Sequence, residues 1–110
     1  MNIGFPVTAA LVGATAIDLL PHPGWLIGGT IMNTDTADGY ALFYDKPASE
    51  VTVGVTTPYF YLVLFGQTPS PVTRAGEGLA FLRAISVACV NTVVAGAVVA
   101  RLSNVALIVQ

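Results

Sequence analysis

Turn-forming residues interrupt this sequence at short, regular intervals and limit the secondary structure it can form. The clearest interruptions are residues 21–24, 33–39, 46–47, 66–71 and 74–78. Between them lie strand-length runs rich in β-branched and aromatic residues, without helical periodicity. This pattern predicts an all-β fold with little or no helix. We expect an antiparallel β-sandwich, with the jelly roll among the arrangements it allows.

The chain length favours one domain. With 110 residues and 11.4 kDa, two independent cores would each be too small to be stable. We therefore expect a single domain over residues 1–110. Residues 1–23, which precede a proline- and glycine-rich break, are expected to form an extended N-terminal arm or an edge strand.

The composition is unusually apolar for a small domain. Apolar residues make up 55% of the chain and charged residues only 9%, whereas soluble domains average about 25% charged residues. On a folded surface of roughly 5,800 Å², this gives about one charged side chain per 580 Å². Such a chain either lies in lipid or covers much of its surface with other protein subunits.

Several functional classes are excluded by residue counts. Four basic residues and a net charge of −2 cannot attract nucleic acid. A single cysteine, Cys89, and a single histidine, His22, exclude a disulfide framework and a paired-histidine metal site. No basic residue precedes Lys46, so we expect cytoplasmic synthesis without export.

A membrane span is an alternative explanation of the low charge. Its best candidate is residues 84–100, between Arg83 and Arg101. As a helix this segment would reach about 25 Å, short of the roughly 30 Å hydrocarbon core, and it carries Asn91 and Thr92 at its centre. The strand interpretation of residues 85–92 fits the β-branched residues better, so we expect no membrane contact.

Two predicted strands are apolar on both faces. A surface strand normally alternates apolar and polar residues, but residues 59–65 and 105–109 do not. Such strands need a second partner besides their own core, which favours a homo-oligomer, with a trimer as one option. The predicted assembly interface comprises Tyr59, Tyr61, Val63, Phe65, Val105, Leu107 and Val109.

Other polar and glycine positions are interpreted as structural turns. Asn33, Asp35 and Asp38 resemble a calcium loop at first glance, but the twelfth position of that loop would be Tyr44 rather than glutamate. We expect a hairpin turn there instead. The lone glycine within residues 51–58 predicts a bulge or tight turn with positive φ. The predicted turn residues are Asn33, Asp35, Asp38, Gly39, Gly54 and Pro58.

No residue pattern indicates an active site, so we predict no catalytic residue, no metal and no cofactor. His22 lies between two prolines without a spaced nucleophile or carboxylate partner, and Cys89 lies mid-strand as a buried thiol. The four tyrosines are interpreted as core and interface aromatics, because no basic residue is interleaved with them. A carbohydrate-binding module that uses these tyrosines is the binding-class alternative.

Residues 24–92 contain a series of turn motifs. An apolar strand ends in Asn33-Thr34, and it is followed by the segment YALFYDK, the segment VTVG and the dipeptide Thr57-Pro58. Later come GLAF and ISVA. This series resembles small β-sandwich virion proteins of tailed bacteriophages, which share an "NT" strand end, a "LYDK"-like strand end, a "VGTxTP"-like turn and a "GlaFxxGiSyA" segment. Ala84 stands where the last motif usually has glycine.

The resemblance implies a non-enzymatic virion protein located in a shell or tail. The resulting hypothesis is a capsid decoration or cement protein that binds the major capsid protein or other virion proteins. A tail or baseplate component is the runner-up. Because the shared motifs are structural, no functional residue is carried over from the family.

Overall fold

The computed structural model describes residues 4–73, 78–93 and 96–110, and within them the chain is all-β as predicted. No α-helix occurs in these ranges, and the one helical element is a single 3-10 turn at Ala48–Glu50. The strands are β1 (Phe5–Val12), β2 (Ile17–Leu20), β3 (Gly24–Asn33), β4 (Gly39–Tyr44), β5 (Phe60–Leu64), β6 (Pro69–Thr73), β7 (Leu79–Phe81), β8 (Ile85–Val90) and β9 (Ser103–Val109).

The strands form two antiparallel sheets that pack face to face. Sheet A has the order β1-β9-β3-β6, with β7 also paired to β3, and sheet B has the order β2-β8-β4-β5. Without β7, the chain is one long antiparallel ribbon in which β1 pairs with β9, β2 with β8, β3 with β6 and β4 with β5. Of these eight strands, β1, β3, β6 and β9 lie in sheet A and β2, β4, β5 and β8 lie in sheet B. This is the connectivity of a jelly roll.

The main core lies between the two sheets. Inward-facing side chains alternate along β9, where Val105, Leu107 and Val109 are buried and the residues between them are exposed. They belong to one buried cluster with sheet B residues that include Phe43 and Val87. Burial of these apolar side chains from both sheets holds the sandwich together.

A second buried cluster lies on the outer side of sheet B. Leu42, Tyr44, Ala88 and Val90 form this cluster, and loop residues such as Ala16, Val53 and Val98 pack against it. As a consequence, β8 is buried at all six of its positions. From the sequence, a strand that is apolar on both faces is expected to need another subunit. For β4 and β8 the second partner is instead the chain's own loops.

The N-terminal segment supplies one edge strand to each sheet, β1 to sheet A and β2 to sheet B. The loop expected at residues 66–71 is in part strand β6, which contains Pro69 and Pro71. Proline is tolerated there because β6 is the edge strand of sheet A and needs only one hydrogen-bonded neighbour.

The candidate membrane segment does not form a helix where it is described. Residues 85–90 of that segment are strand β8. In the described ranges, the chain has no helix with the length and apolar character needed to cross a membrane.

Candidate assembly surfaces

An aromatic and apolar stripe runs along the edge strand of sheet B. We define the aromatic stripe as Tyr59, Tyr61, Val63 and Phe65, whose exposed fractions lie between 47% and 56%. Tyr61 packs edge-on against Tyr40 of β4, with ring centroids 6.0 Å apart, and Tyr59 packs edge-on against Phe81 at 5.1 Å. These contacts hold the rings in place while half of each side chain stays exposed, as expected for rigid aromatic anchors of an interface.

The stripe also borders a strand edge. Strand β5 pairs with β4 on one side only, because it is the last strand of sheet B. Edge strands of soluble monomers are commonly protected by a charged side chain, a proline or a bulge. Strand β5, with the sequence FYLVL, contains neither a charge nor a proline. The edge is therefore suited to contact with another protein.

The three β9 residues predicted to lie in the interface are instead in the core. Val105, Leu107 and Val109 are each exposed by 2% or less, so the prediction of an interface role for them is wrong. The physical reason is the position of β9 between β1 and β3, which turns its odd-numbered side chains toward sheet B. Alternation in sequence identifies two faces of a strand but does not identify which face is inward.

The opposite side of β9 contributes to a second uncharged surface, which the sequence analysis missed. Thr8, Ala106, Thr30 and Pro71 lie side by side across four neighbouring strands, and all four are exposed. We call these four residues, together with Asn104, Ile108 and Pro69, the outer face of sheet A. None of them carries a charge. Their mixture of small, polar and apolar residues gave no periodic signal in the sequence.

Charged side chains are used to hold loops. The N–H groups of Ala48, Leu102, Gly66 and Arg83 donate to the carboxylates of Asp18, Asp35, Asp38 and Asp45, respectively, at 2.8, 3.0, 2.8 and 2.8 Å. Each pair is separated by 28 or more residues in sequence. In addition, Arg83 forms a salt bridge with Glu50 at 2.7 Å. These charges stabilise loop backbones, and none of them lies on the aromatic stripe or the outer face of sheet A.

The polar turn at residues 33–39 is a hydrogen-bonded Asx turn, but the hairpin expected there is wrong, because the turn joins β3 of sheet A to β4 of sheet B. The buried Asn33 accepts a hydrogen bond from the N–H of Asp35 at 3.0 Å and donates its amide to the carbonyl of Ala37 at 2.9 Å. Asp38 leads into Gly39, the first residue of β4. The Asp38 carboxylate accepts a hydrogen bond from the Gly66 N–H. The side chains of Asn33 and Asp38 thus both bind backbone groups and stabilise the turn.

The other predicted turn lies on the outer side of sheet B. Gly54 has a φ of +91°, the positive φ expected from the sequence. Together with Pro58 it lines a cavity beside Leu42 and Tyr44. The turn therefore covers part of the outer buried cluster, and only a residue without a Cβ adopts its backbone conformation without strain.

The remaining reactive side chains are not grouped. The ring of His22 is hydrogen-bonded to the carbonyl of Pro23 at 3.0 Å, in an exposed loop. Cys89 is buried, and this burial raises the pKa of its thiol to about 11, although a hydrogen bond with Ser103 acts in the opposite direction. No cluster of three metal-binding side chains occurs in the part of the chain that the structure describes. The turn expected at residues 74–78 lies mostly outside the described residues.

Comparisons with known proteins place no further constraint on the chain. No protein-family model, curated protein sequence or solved structure matches it. The inference about function therefore rests on the fold and the two uncharged surfaces.

Proposed function

We propose that this protein is a non-enzymatic structural subunit of a bacteriophage virion, a decoration or cement protein that stabilises a capsid shell. The observation that carries the proposal is the presence of two uncharged surfaces on one small jelly roll. These are the aromatic stripe at β5 and the outer face of sheet A. In this role the protein holds neighbouring subunits together through static contacts, and it needs no active site.

The two surfaces suit a protein that must contact both its own copies and a shell. Tyr61 and Val63 of the stripe lie opposite Leu42 and Tyr40 on the outer side of sheet B. The outer face of sheet A lies on the far side of the sandwich. We assign the stripe to contacts between copies and the outer face of sheet A to the shell or to another virion protein.

A stable protein contact would cover only a modest share of the folded surface. A standard protein interface buries about 800 Å² on each partner. The folded chain has an accessible surface of 5677 Å², so one such contact would cover about a seventh of it. Rigid tyrosines at the centre of an interface typically contribute much of the binding energy, and the stripe contains two of them.

The fold and the sequence motifs support the same proposal independently. Jelly rolls are common in viral capsid domains, although they also occur in lectins and cupins. Because one fold hosts many functions, the topology alone does not assign a role. The resemblance of residues 24–92 to small virion proteins of tailed phages favours a virion role among these. A tail or baseplate subunit would use the same surfaces.

A carbohydrate-binding module is the second candidate. It is favoured by the half-exposed rings of Tyr59 and Tyr61, since aromatic rings on a jelly roll can stack against sugars. Sugar recognition also requires polar side chains placed around the ring. The stripe carries no charged or amide side chain, because its other members are Val63 and Phe65. A glycan-binding assay on the isolated chain distinguishes this candidate from a structural subunit.

Immunogold electron microscopy of purified virions tests the location. An antibody against the full chain is expected to label the capsid surface in a regular array. Label confined to the tail or baseplate would replace the decoration role with the runner-up. A chain absent from the particles would contradict any virion role.

A further inference from the structure

Three of the four sheet edges carry features that prevent pairing with another strand. In β1, a bulge between Ala9 and Val12 interrupts the register, and Leu11 within it has a φ of +52°. The opposite edge of sheet A consists of the proline-containing β6 and the three-residue β7. Strand β2 has only four residues, one of which is the charged Asp18. Such features protect edges in natural sheets, and among the described edge strands only β5 lacks all of them.

The backbone groups of β4 show which residues of β5 it binds. The N–H of Tyr59, just before β5, donates to the Phe43 carbonyl at 2.8 Å, so the backbone of Phe43 points toward β5. In antiparallel strands the backbone groups of every second residue point to the same neighbour. Ala41 therefore also points toward β5 and bonds to Leu62, its register partner. Strand β8 agrees with this, since the N–H and C=O of Cys89, opposite Ala41, bind other residues.

Tyr61 and Val63 present their backbone groups at the open edge of sheet B. They lie on either side of Leu62, so their N–H and C=O groups point away from β4. Within the described ranges, no strand pairs with β5 on that side. Their side chains are half exposed, at 50% and 47%. This edge is a template of hydrogen-bond donors and acceptors for one further strand.

The charge pattern favours a second copy of the chain as the source of that strand. Residues 51–73 contain β5 and both of its flanking loops, and they include no charged residue and no histidine. At a two-fold joint, each side chain near the axis meets its own copy, so a charge there would repel itself. A long uncharged segment whose midpoint is Leu62 meets this requirement.

We propose that β5 of one copy pairs antiparallel with β5 of a second copy about a two-fold axis at Leu62, which joins the two B sheets into one. In this register Tyr61 of each copy lies opposite Val63 of the other. Each of these two pairs exchanges both backbone hydrogen bonds, so the joint forms four. The opposed tyrosine and valine side chains form a favourable aromatic–β-branched pair. This proposal rests on the contact between copies assigned to the aromatic stripe and names its geometry, and it does not depend on the location in the virion.

The exposed area of the aromatic stripe favours strand pairing over face-to-face stacking of two stripes. Three half-exposed rings and one valine offer roughly 300 to 400 Å². This is at most half of the about 800 Å² that each partner buries in a standard interface. Strand pairing also satisfies the backbone edge and brings together Phe60 and Leu62, which face the main core and are only partly buried in the single chain. It therefore uses both faces of β5.

Disulfide trapping of the full chain tests the register. In a Cys89→Ala background, Leu62→Cys places two thiols across the axis with Cα atoms about 4.5 Å apart, within the range of about 4.4 to 6.8 Å that a disulfide spans. We expect air oxidation to convert this chain into a covalent dimer on a non-reducing gel. Val63→Cys is the matched control, because its position is more exposed but its copy lies on the diagonal, about 7 to 8 Å away.

Random collision and strand pairing give opposite results in this experiment. Collision favours the more exposed thiol of Val63→Cys, whereas pairing about Leu62 favours Leu62→Cys. Cross-linking of Val63→Cys that equals or exceeds that of Leu62→Cys would overturn the proposed register, as would a Leu62→Cys chain that forms no covalent dimer.

Proline substitution at Val63 tests the backbone hydrogen bonds. Val63→Pro removes an N–H that β4 does not use, so the fold should be retained, because an edge strand tolerates proline. Both copies lose a hydrogen bond, so the affinity between copies should fall about tenfold to hundredfold. Val63→Ala keeps the N–H and is the control for the lost side chain. Size-exclusion chromatography with light scattering measures association, and circular dichroism measures folding. An unfolded Val63→Pro chain would mean that this N–H binds β4, which would overturn the proposal.

These experiments separate the strand pairing from the proposed function. A wild-type chain that forms a trimer, or a folded Val63→Pro chain that associates like wild type, would overturn the pairing and leave a virion role intact. Absence of the chain from purified virions would contradict the virion role and leave the pairing intact.

Discussion

Gly54 and Gly96 approach each other closely and are joined by a hydrogen bond of 3.0 Å from the Gly96 N–H to the Gly54 carbonyl. Both have positive φ, +91° and +131°. The two positions differ in the space around them. A Cβ on Gly54 would lie 2.6 Å from the carbonyl oxygen of Gly96, whereas a Cβ on Gly96 would have no heavy atom within 4 Å. Backbone strain and steric clash can therefore be separated experimentally.

We expect Gly54→Val to destabilise the fold more than Gly96→Val. Both variants pay for a side chain at positive φ, about 1 kcal/mol or more. Only Gly54→Val adds a clash with backbone, so its loss in the free energy of unfolding should reach about 2 kcal/mol or more. Urea denaturation at one fixed protein concentration measures both losses. Equal losses would show that the close approach of the two glycines has no energetic weight.

Asp45 and Glu50 make different kinds of contact with Arg83, and the difference predicts unequal effects on stability. The Asp45 carboxylate accepts a hydrogen bond from the Arg83 backbone N–H at 2.8 Å and so fixes the turn before β8. Asp45→Ala should lower the free energy of unfolding by about 1 to 2 kcal/mol. Glu50 contacts the Arg83 guanidinium in a salt bridge that is about half exposed. Glu50→Gln should leave the melting temperature unchanged at physiological salt, because exposed pairs are screened. The reverse order of effects would contradict this assignment.

Cys89 predicts an alkaline dependence of stability. Burial raises the pKa of its thiol from 9.0 to about 11. As the pH rises, the unfolded chain therefore loses this proton before the folded chain does. The free energy of unfolding should be constant below about pH 9 and fall between pH 9 and 11, by about 2 to 3 kcal/mol. Cys89→Ala provides the control, because the fall due to the thiol should be absent from it. Identical pH profiles would contradict the buried thiol.

Reaction with a thiol-specific aromatic disulfide reagent gives an independent check on Cys89. The folded chain should react only after denaturant is added, since the neutral buried thiol is a poor nucleophile. Rapid reaction of the native chain at neutral pH would mean that the thiol is accessible.

The strand locations were predictable because local chemistry marks them. Asn33, the last residue of β3, marks a strand end through its own side chain, and Gly54 marks a turn through its backbone, so this information is present in the sequence. Strand β6 was not predicted, because Pro69 and Pro71 are incompatible with a central strand and only the sheet order reveals an edge.

The orientation of apolar strands was not predictable in the same way. Leu107 and Ile108 are equally apolar in sequence, yet Leu107 is fully buried and Ile108 is exposed. The choice is made by the register of β9 with β1 and β3, which depends on partners distant in sequence. The burial of β4 and β8 beneath the chain's own loops likewise depends on residues that are distant in sequence. Three of the seven predicted interface residues were therefore misplaced, and the outer face of sheet A was missed.

Charge substitutions distinguish the two assembly surfaces. Tyr61→Glu places a charge at a half-exposed position of the aromatic stripe and should weaken self-association while leaving the fold intact. Ala106→Glu does the same at the centre of the outer face of sheet A and should reduce binding to shells without changing the oligomeric state. Leu62→Glu is the matched inward control on β5 and should unfold the chain, because Leu62 packs against the main core. Size-exclusion chromatography with circular dichroism separates these outcomes. A Tyr61→Glu chain with wild-type association would contradict the role of the stripe.

Sedimentation-velocity ultracentrifugation of the wild-type chain tests the central claim, that this jelly roll covers its uncharged surfaces by assembling with other protein. We expect a defined oligomer at micromolar concentration, with a trimer as one option, and no detectable population at the monomer mass of 11.4 kDa. A soluble monomer of 11.4 kDa at high concentration, with no affinity for virion shells or tails, would contradict it.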